Sequence, residues 1–364
     1  METTGFTLPR TFTVFAVLSG IVVTVLGLRE LAWLITPAVF ALVIVILVHP
    51  VHTSLVRRGV PAIVALIALM LSIFGVLLGL VAIIVYAIAR LATVLPRYFD
   101  EAAASTRELS EFLATLGVGP EQIREIVRNI DLPVVAGWLT AHIPSLVGVA
   151  ASLVLVYSLM LFVGIESAQI SGRAAALQED HPRLAGALAG FVANTRRYVA
   201  ITGVFAIIVG TLDTAFLLIL GIPLPFLWGL LAAVCNFIPY VGFLVGLVPP
   251  ALLALLTQGW QSMVLVIVVY TILNSIVTTY VPAKVVGDAV GMSMSVTVAS
   301  VAFWSWVLGP VGAVLAIPLS LLVKAIFIDS VRSARWLAGF VDAGPRRRRP
   351  SAEGAVRPPP GNRA

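Results

Sequence analysis

The stretch from Phe226 to Leu256, FLWGLLAAVCNFIPYVGFLVGLVPPALLALL, is apolar enough for a bilayer, yet Asn236, Pro239, Gly242, Gly246, Pro249 and Pro250 interrupt it. Lipid offers no hydrogen bonds, so every backbone donor and acceptor there needs an internal partner. A helix with this many breakers persists only where neighbouring protein or a wet cavity covers the break. A second interrupted stretch, WVLGPVGAVLAIPLSLLVKA, runs from Trp306 to Ala325. Two broken hydrophobic segments in corresponding places point to the substrate path of a transporter.

The rest of the chain is equally apolar. Hydrophobic residues make up 60% and charged residues 11%, with a mean hydropathy of +1.07. Soluble domains carry about 25% charged residues, so the expected class is an all-α polytopic membrane protein. The single cysteine, Cys235, excludes an intrachain disulfide and a cysteine-based metal site. A net charge of +6 would suit nucleic acid, but it sits in loops and the tail, where positive-inside bias explains it. No nucleic-acid partner, cofactor or metal is expected. Thr11 to Leu28 has the look of a signal peptide, but no small-residue cleavage site closes it, and it reads as an uncleaved first span.

With about 20 apolar residues per crossing, spans fall near 11–29, 31–48, 61–90, 147–165, 198–220 and 261–281. Re-entrant hairpins near 225–256 and 291–327 bring the expected total to about eight segments. The chain divides into an N-terminal membrane part (1–96), an insertion (97–146), a membrane core (147–328) and a tail (329–364). Charge orients it. Arg57 and Arg58 stand without an acid in the 49–60 loop, and Arg346 to Arg349 lie in the tail, whereas 97–131 holds seven acids against four arginines. The basic stretches read as cytoplasmic, both termini included, and the acidic insertion as external. Parity then favours broken segments that turn back, since a single crossing by 225–256 would place Lys284 outside. In the insertion, Leu109, Phe112, Leu113 and Leu116 recur at helical spacing, as do Ile123, Ile126, Val127 and Ile130. Two amphipathic helices fit there, either capping the membrane domain or lying at the headgroups. The Pro- and Arg-rich tail reads as disordered, with its arginines on anionic lipid.

The residues at the two breaks resemble a known family. Asn236-Phe237-Ile238-Pro239-Tyr240-Val241-Gly242, with Gly246 and Pro249 after it, resembles the N-x-I-P-Y-x-G signature of the AI-2E family, the autoinducer-2 exporter-like or PerM-type permeases. Pro282, Lys284, Val285 and Gly287 are similar to its P-x-[KR]-[IV]-x-G stretch. Gly309-Pro310-Val311-Gly312 and Ala316-Ile317-Pro318-Leu319 are similar to its closing G-x-x-G and A-x-P-L pattern. The likeness is specific from Tyr198 to Ile328 and looser before that. The sequence also departs from the family. Phe243 stands where a second proline is common, and Ile276 where an acid is common. The resemblance implies a multi-pass bacterial inner-membrane transporter, not an enzyme, that exports a small polar solute or signalling molecule as a homo-oligomer.

Candidate path residues are Asp213, Asn236, Pro239, Tyr240, Asn274 and Thr278. Asp213, deep in IIVGTLDTAFLLIL, is costly in lipid and by default suggests a proton or ion site. The competing reading is a carboxyl that ties two helices together. Asn236 and the carbonyls freed at Pro239 suit a polar solute or a cation, or Asn236 simply caps the helix end. Asn274 and Thr278 extend a polar path or bond between helices. Gly242 and Gly246 have the spacing of close helix packing, while Gly309, Pro310, Gly312 and Pro318 suit a second tip that hinges. Lys324 reads as snorkelling to the interface.

The leading expectation is a transporter working by alternating access on a proton or sodium gradient, because no P-loop is present to use ATP. A monovalent cation/proton antiporter is the second reading. An intramembrane aspartyl protease built on Asp213 and Asp288 is weak, since two carboxylates must converge to share a proton. A non-transporting scaffold stays open.

Overall fold

The computed structural model describes residues 10–83, 85–86, 153–162, 172–239, 241–277 and 292–331. The insertion, Tyr240, Thr278, Lys284, Asp288 and the arginine tail lie outside them. Among the described residues there are helices and turns but no strand. Five helices among the described residues are long and apolar enough to cross a membrane.

Helices α1 (Arg10–Glu30) and α2 (Ala32–Arg57) meet at Leu31. The sequence suggested that α2 would end near residue 48, just before Pro50, yet it runs on to Arg57. Pro50 has no N–H to give the Ile46 carbonyl. Arg196 supplies the missing donor, its Nε reaching Ile46 O at 3.2 Å. The helix therefore continues past its proline and is fastened to a distant part of the chain. Helices α3 (Ala62–Ile83) and α4 (Leu153–Phe162) pack on its other side. That cluster joins Ala41, Ile44 and Val45 with Met70, Val156 and Met160.

After a helix over 172–180 (α5), α6 (Pro182–Leu220) runs for 39 residues. At 1.5 Å per residue it is about 58 Å long, roughly twice the hydrocarbon thickness. The apolar run had suggested only 198–220. The earlier turns are helical because Phe191 and its neighbours Ala187 and Val192 find cover from Ile317, Leu321 and Ala325. At its far end Gly221 takes φ 73°, and the N–H groups of Gly221 and Ile222 close back on Leu218 O and Leu217 O. This is the left-handed glycine cap that satisfies the last carbonyls of a helix.

The first broken segment folds back on itself. Helix α7 (Pro225–Cys235) and helix α8 (Val241–Gln258) form an antiparallel pair. Gly246 lies against Ala232, and Gly242 against the Cys235 carbonyl. Gln258 Nε2 donates to Leu220 O at 2.7 Å, so the hairpin ends beside the end of α6 from which it started. Helix α9 (Trp260–Ser275) then packs along α8. The second broken segment does the same with shorter pieces: α10 (Met294–Leu308), α11 (Pro310–Val314), α12 (Ala316–Lys324) and a π turn (Ala325–Asp329). Gly309, at φ 74°, makes the reversal, and Trp304 Nε1 donates across it to Ser320 Oγ at 3.0 Å. The π turn brings residues five apart together. Lys324 there meets Asp329 at 3.2 Å as an ion pair, instead of extending alone to an interface.

Helices α6 and α7 cross at glycine. A Cβ on Gly229 would collide with Thr214 Oγ1 and lie 2.5 Å from the Gly210 carbonyl. Gly229→Ala is therefore expected to cost about 1–3 kcal/mol through overpacking. Gly20→Ala, in mid-helix with nothing within 4 Å of the new methyl, should not destabilise, since alanine suits a helix interior better than glycine. Thermal unfolding of the detergent-solubilised variants checks both.

Candidate functional site

The first break leaves a carbonyl exposed. In a continuous helix the Val241 N–H would bond Phe237 O, but here it turns to Pro239 O at 2.7 Å. Tyr198 of α6 fills the gap, its hydroxyl donating to Phe237 O at 3.2 Å. The Phe237 ring lies over Gly203, further along α6, where an added methyl would make ordinary van der Waals contact with it. The first tip is thus seated on the middle of α6 by one hydrogen bond and one aromatic contact.

The second hairpin reaches the same place. Ile238 of the first tip packs against a cluster of Val301, Trp304, Leu308 and Ala313, which also takes in Val43 of α2 and Val199 of α6. Between the hairpins lies a cavity of about 200 Å³, lined by Ile238, Pro239 and Val241 on one side and Val298, Val301, Ala302, Ser305 and Ala313 on the other. Its walls are apolar apart from Ser305, whose hydroxyl donates to Ala302 O at 3.4 Å. A larger cleft of about 560 Å³ opens where α6 begins, bordered by Asp180, His181, Arg183 and Ser330.

The expected path residues fall into two groups. Pro239 lines the cavity, and Asn236 sits beside it at the end of α7, its N–H bonded to Ala232 O at 3.0 Å. Gly309 and Pro310 form the second reversal, Gly312 packs on Leu308, and Pro318 is buried in α12. Asp213 is elsewhere. It lies fifteen residues along α6 from Tyr198, about 22 Å at the helical rise. There it is 2% exposed, and its Oδ1 has no hydrogen-bond partner among the described residues. Phe216, on the same face of α6, meets the ring of Tyr270 edge-on at 6.4 Å. Asn274 stands one turn beyond Tyr270 on α9. Tyr240 and Thr278 are outside the described residues.

Sequence reasoning missed Tyr198, Tyr270 and Ser305. Tyrosines in apolar spans are easily read as interfacial anchors. A usable signal was present in Tyr198, because a freed carbonyl at a proline break demands a donor from some other helix.

Long apolar helices with two folded-back breaks that meet around a cavity define a multi-pass membrane protein. The family model for AI-2E family transporters matches residues 15–332, and the chain belongs to that family. It is 28% identical over 307 residues to the AI-2 transport protein TqsA of Escherichia coli (strain K12), covering 84% of this chain and 89% of that protein. It is 26% identical over 337 residues to the putative transport protein YhhT of the same organism, covering 92% of this chain and 95% of YhhT. The chain is thus a membrane transporter in contact with lipid and with a transported solute.

Removing the Tyr198 hydroxyl unseats the first tip. Tyr198→Phe is expected to cost about 1 kcal/mol, the net value of one such bond. It should also speed thiol labelling of a cysteine placed at Phe237 in a Cys235→Ala background. Equal labelling rates with and without the hydroxyl would show that the bond does not hold the tip.

Proposed function

We propose that this transporter exports a small polar solute, a signalling molecule of the autoinducer-2 kind, across a bacterial inner membrane by alternating access. The observation that carries this is the meeting of two folded-back, broken helices around a cavity on α6. Broken helices at a repeat-like interface are the recurring device by which secondary transporters build a central site. The hairpin that returns to Leu220 enters and leaves on one face of the membrane, an arrangement that keeps Lys284 on the same cytoplasmic side as both termini. The cavity with its apolar walls is the closed gate of the path, and parting of the tips opens it to the polar groups of Asn236 and the freed carbonyls. The solute class rests on the name of the related TqsA. An ion gradient drives the cycle, since the sequence holds no P-loop. The functional unit is a homo-oligomer, in keeping with the apolar side chains that α1 leaves exposed along its length.

A monovalent cation/proton antiporter is the second reading. The buried carboxyl of Asp213, whose Oδ1 has no hydrogen-bond partner among the described residues, favours it.

Proteoliposomes under imposed proton or sodium gradients test both. Under the export reading, labelled autoinducer-2 moves in wild type, at least tenfold less in Asp213→Asn, and severalfold less in Asn236→Ala. Ion exchange without solute movement, lost in Asp213→Asn, would establish the antiporter instead.

A further inference from the structure

Asp213 and Tyr270 are the most conspicuous polar groups that the tip cavity does not use. They lie on different helices, α6 and α9, and each is 2% exposed. Neither Asp213 Oδ1 nor the Tyr270 hydroxyl has a hydrogen-bond partner among the described residues. The Phe216–Tyr270 ring contact sets the two helices face to face at this level, and the carboxylate and phenol are near enough to interact electrostatically. Leaving two buried polar groups unsatisfied is costly, and such exceptions call for a missing ligand or a functional role.

The surroundings narrow the ligand. The helices packed here are α6, α7, α8 and α9. Their titratable side chains are Arg183, Arg196, Arg197, Tyr198, Asp213, Cys235 and Tyr270, so Asp213 is their sole carboxylate. The three arginines lie on the turns of α6 before Tyr198, and Cys235 is at the first tip. No cation on these helices therefore faces Asp213, and a buried, unpaired charge is far too costly to persist. A bound metal cation stripped of water takes about six oxygens. The pair brings three side-chain oxygens, two from the Asp213 carboxyl and one from Tyr270, half of what such a cation needs, and the neighbouring Thr214 hydroxyl is engaged with Gly210 O at 2.6 Å. A proton needs a single oxygen.

We propose that Asp213 and Tyr270 form a proton-binding pair, with Asp213 the carrier and Tyr270 its positioning residue. With the proton on, the Asp213 hydroxyl donates to the Tyr270 oxygen. With it off, the Tyr270 hydroxyl donates to the carboxylate. The packing of α6 against α9 sets the separation of the two groups, so sliding of these helices changes the hold on the proton. The pair rests on the ion-driven reading only for its use in transport, and it is testable without any cargo.

The test is infrared titration of the purified full-length protein in nanodiscs, reading the carboxylic C=O band against pH. Wild type should show a buried-carboxyl band that vanishes as pH rises. Asp213→Asn should lack it, and Asp213→Glu should restore it at a shifted frequency. Tyr270→Phe should keep the fold, checked by size-exclusion chromatography. It should also displace the midpoint by about one pH unit, the scale of one lost bond to a charged group. Added sodium should leave the midpoint unchanged. Superimposable spectra of wild type and Asp213→Asn, an unmoved midpoint in Tyr270→Phe, or displacement of the band by sodium would each overturn the assignment. Failure of solute export alone would count against the transport reading and leave this pair standing.

Discussion

A backbone carbonyl in lipid has to be answered, and at two of this protein's proline breaks the answer comes from one helix. Pro50 orphans Ile46 O and Arg196 satisfies it; the break at Pro239 orphans Phe237 O and Tyr198 satisfies it. Both donors sit on α6, two residues apart, one reaching toward α2 and the other toward the first hairpin. Without such donors these breaks would be untenable in a medium with no water to substitute. The same stretch of α6 also contributes Val199 to the cluster that holds the second hairpin. The continuous α6 thus answers the first break by a hydrogen bond and holds the second hairpin by apolar packing.

This arrangement sets two features apart along one rod. The tips and their cavity lie at Tyr198, and the buried carboxyl lies near the Gly221 end, about 22 Å away by the helical rise. The α6–α7 crossing at Gly210 and Gly229 falls between them. There the helices touch backbone to backbone, so a shift of α7 is felt directly by α6. Any coupling between a proton at Asp213 and the state of the tips would travel through this contact. Tight packing of this kind moves between discrete arrangements and does not deform smoothly.

Much of the fold was legible from the residues. Composition and run length sufficed for an all-α membrane class, and the runs of Pro and Gly marked both reversals at Pro239 and Gly309. The lengths of α2 and α6 were not legible. Pro50 reads locally as a stop, and only a donor 146 positions later makes it a continuation. The turns of α6 before Tyr198 carry arginines and read as a loop, until the second hairpin covers Phe191.

What the chain alone determines is where the helices are apolar and where they break, because hydropathy and the geometry of proline and glycine are local properties. What the tertiary structure decides is which side chains answer those breaks. It also decides that Asp213 faces Tyr270 and stands apart from the tips. Those pairings depend on which helix lies against which, and no local pattern encodes a contact between residues 57 positions apart.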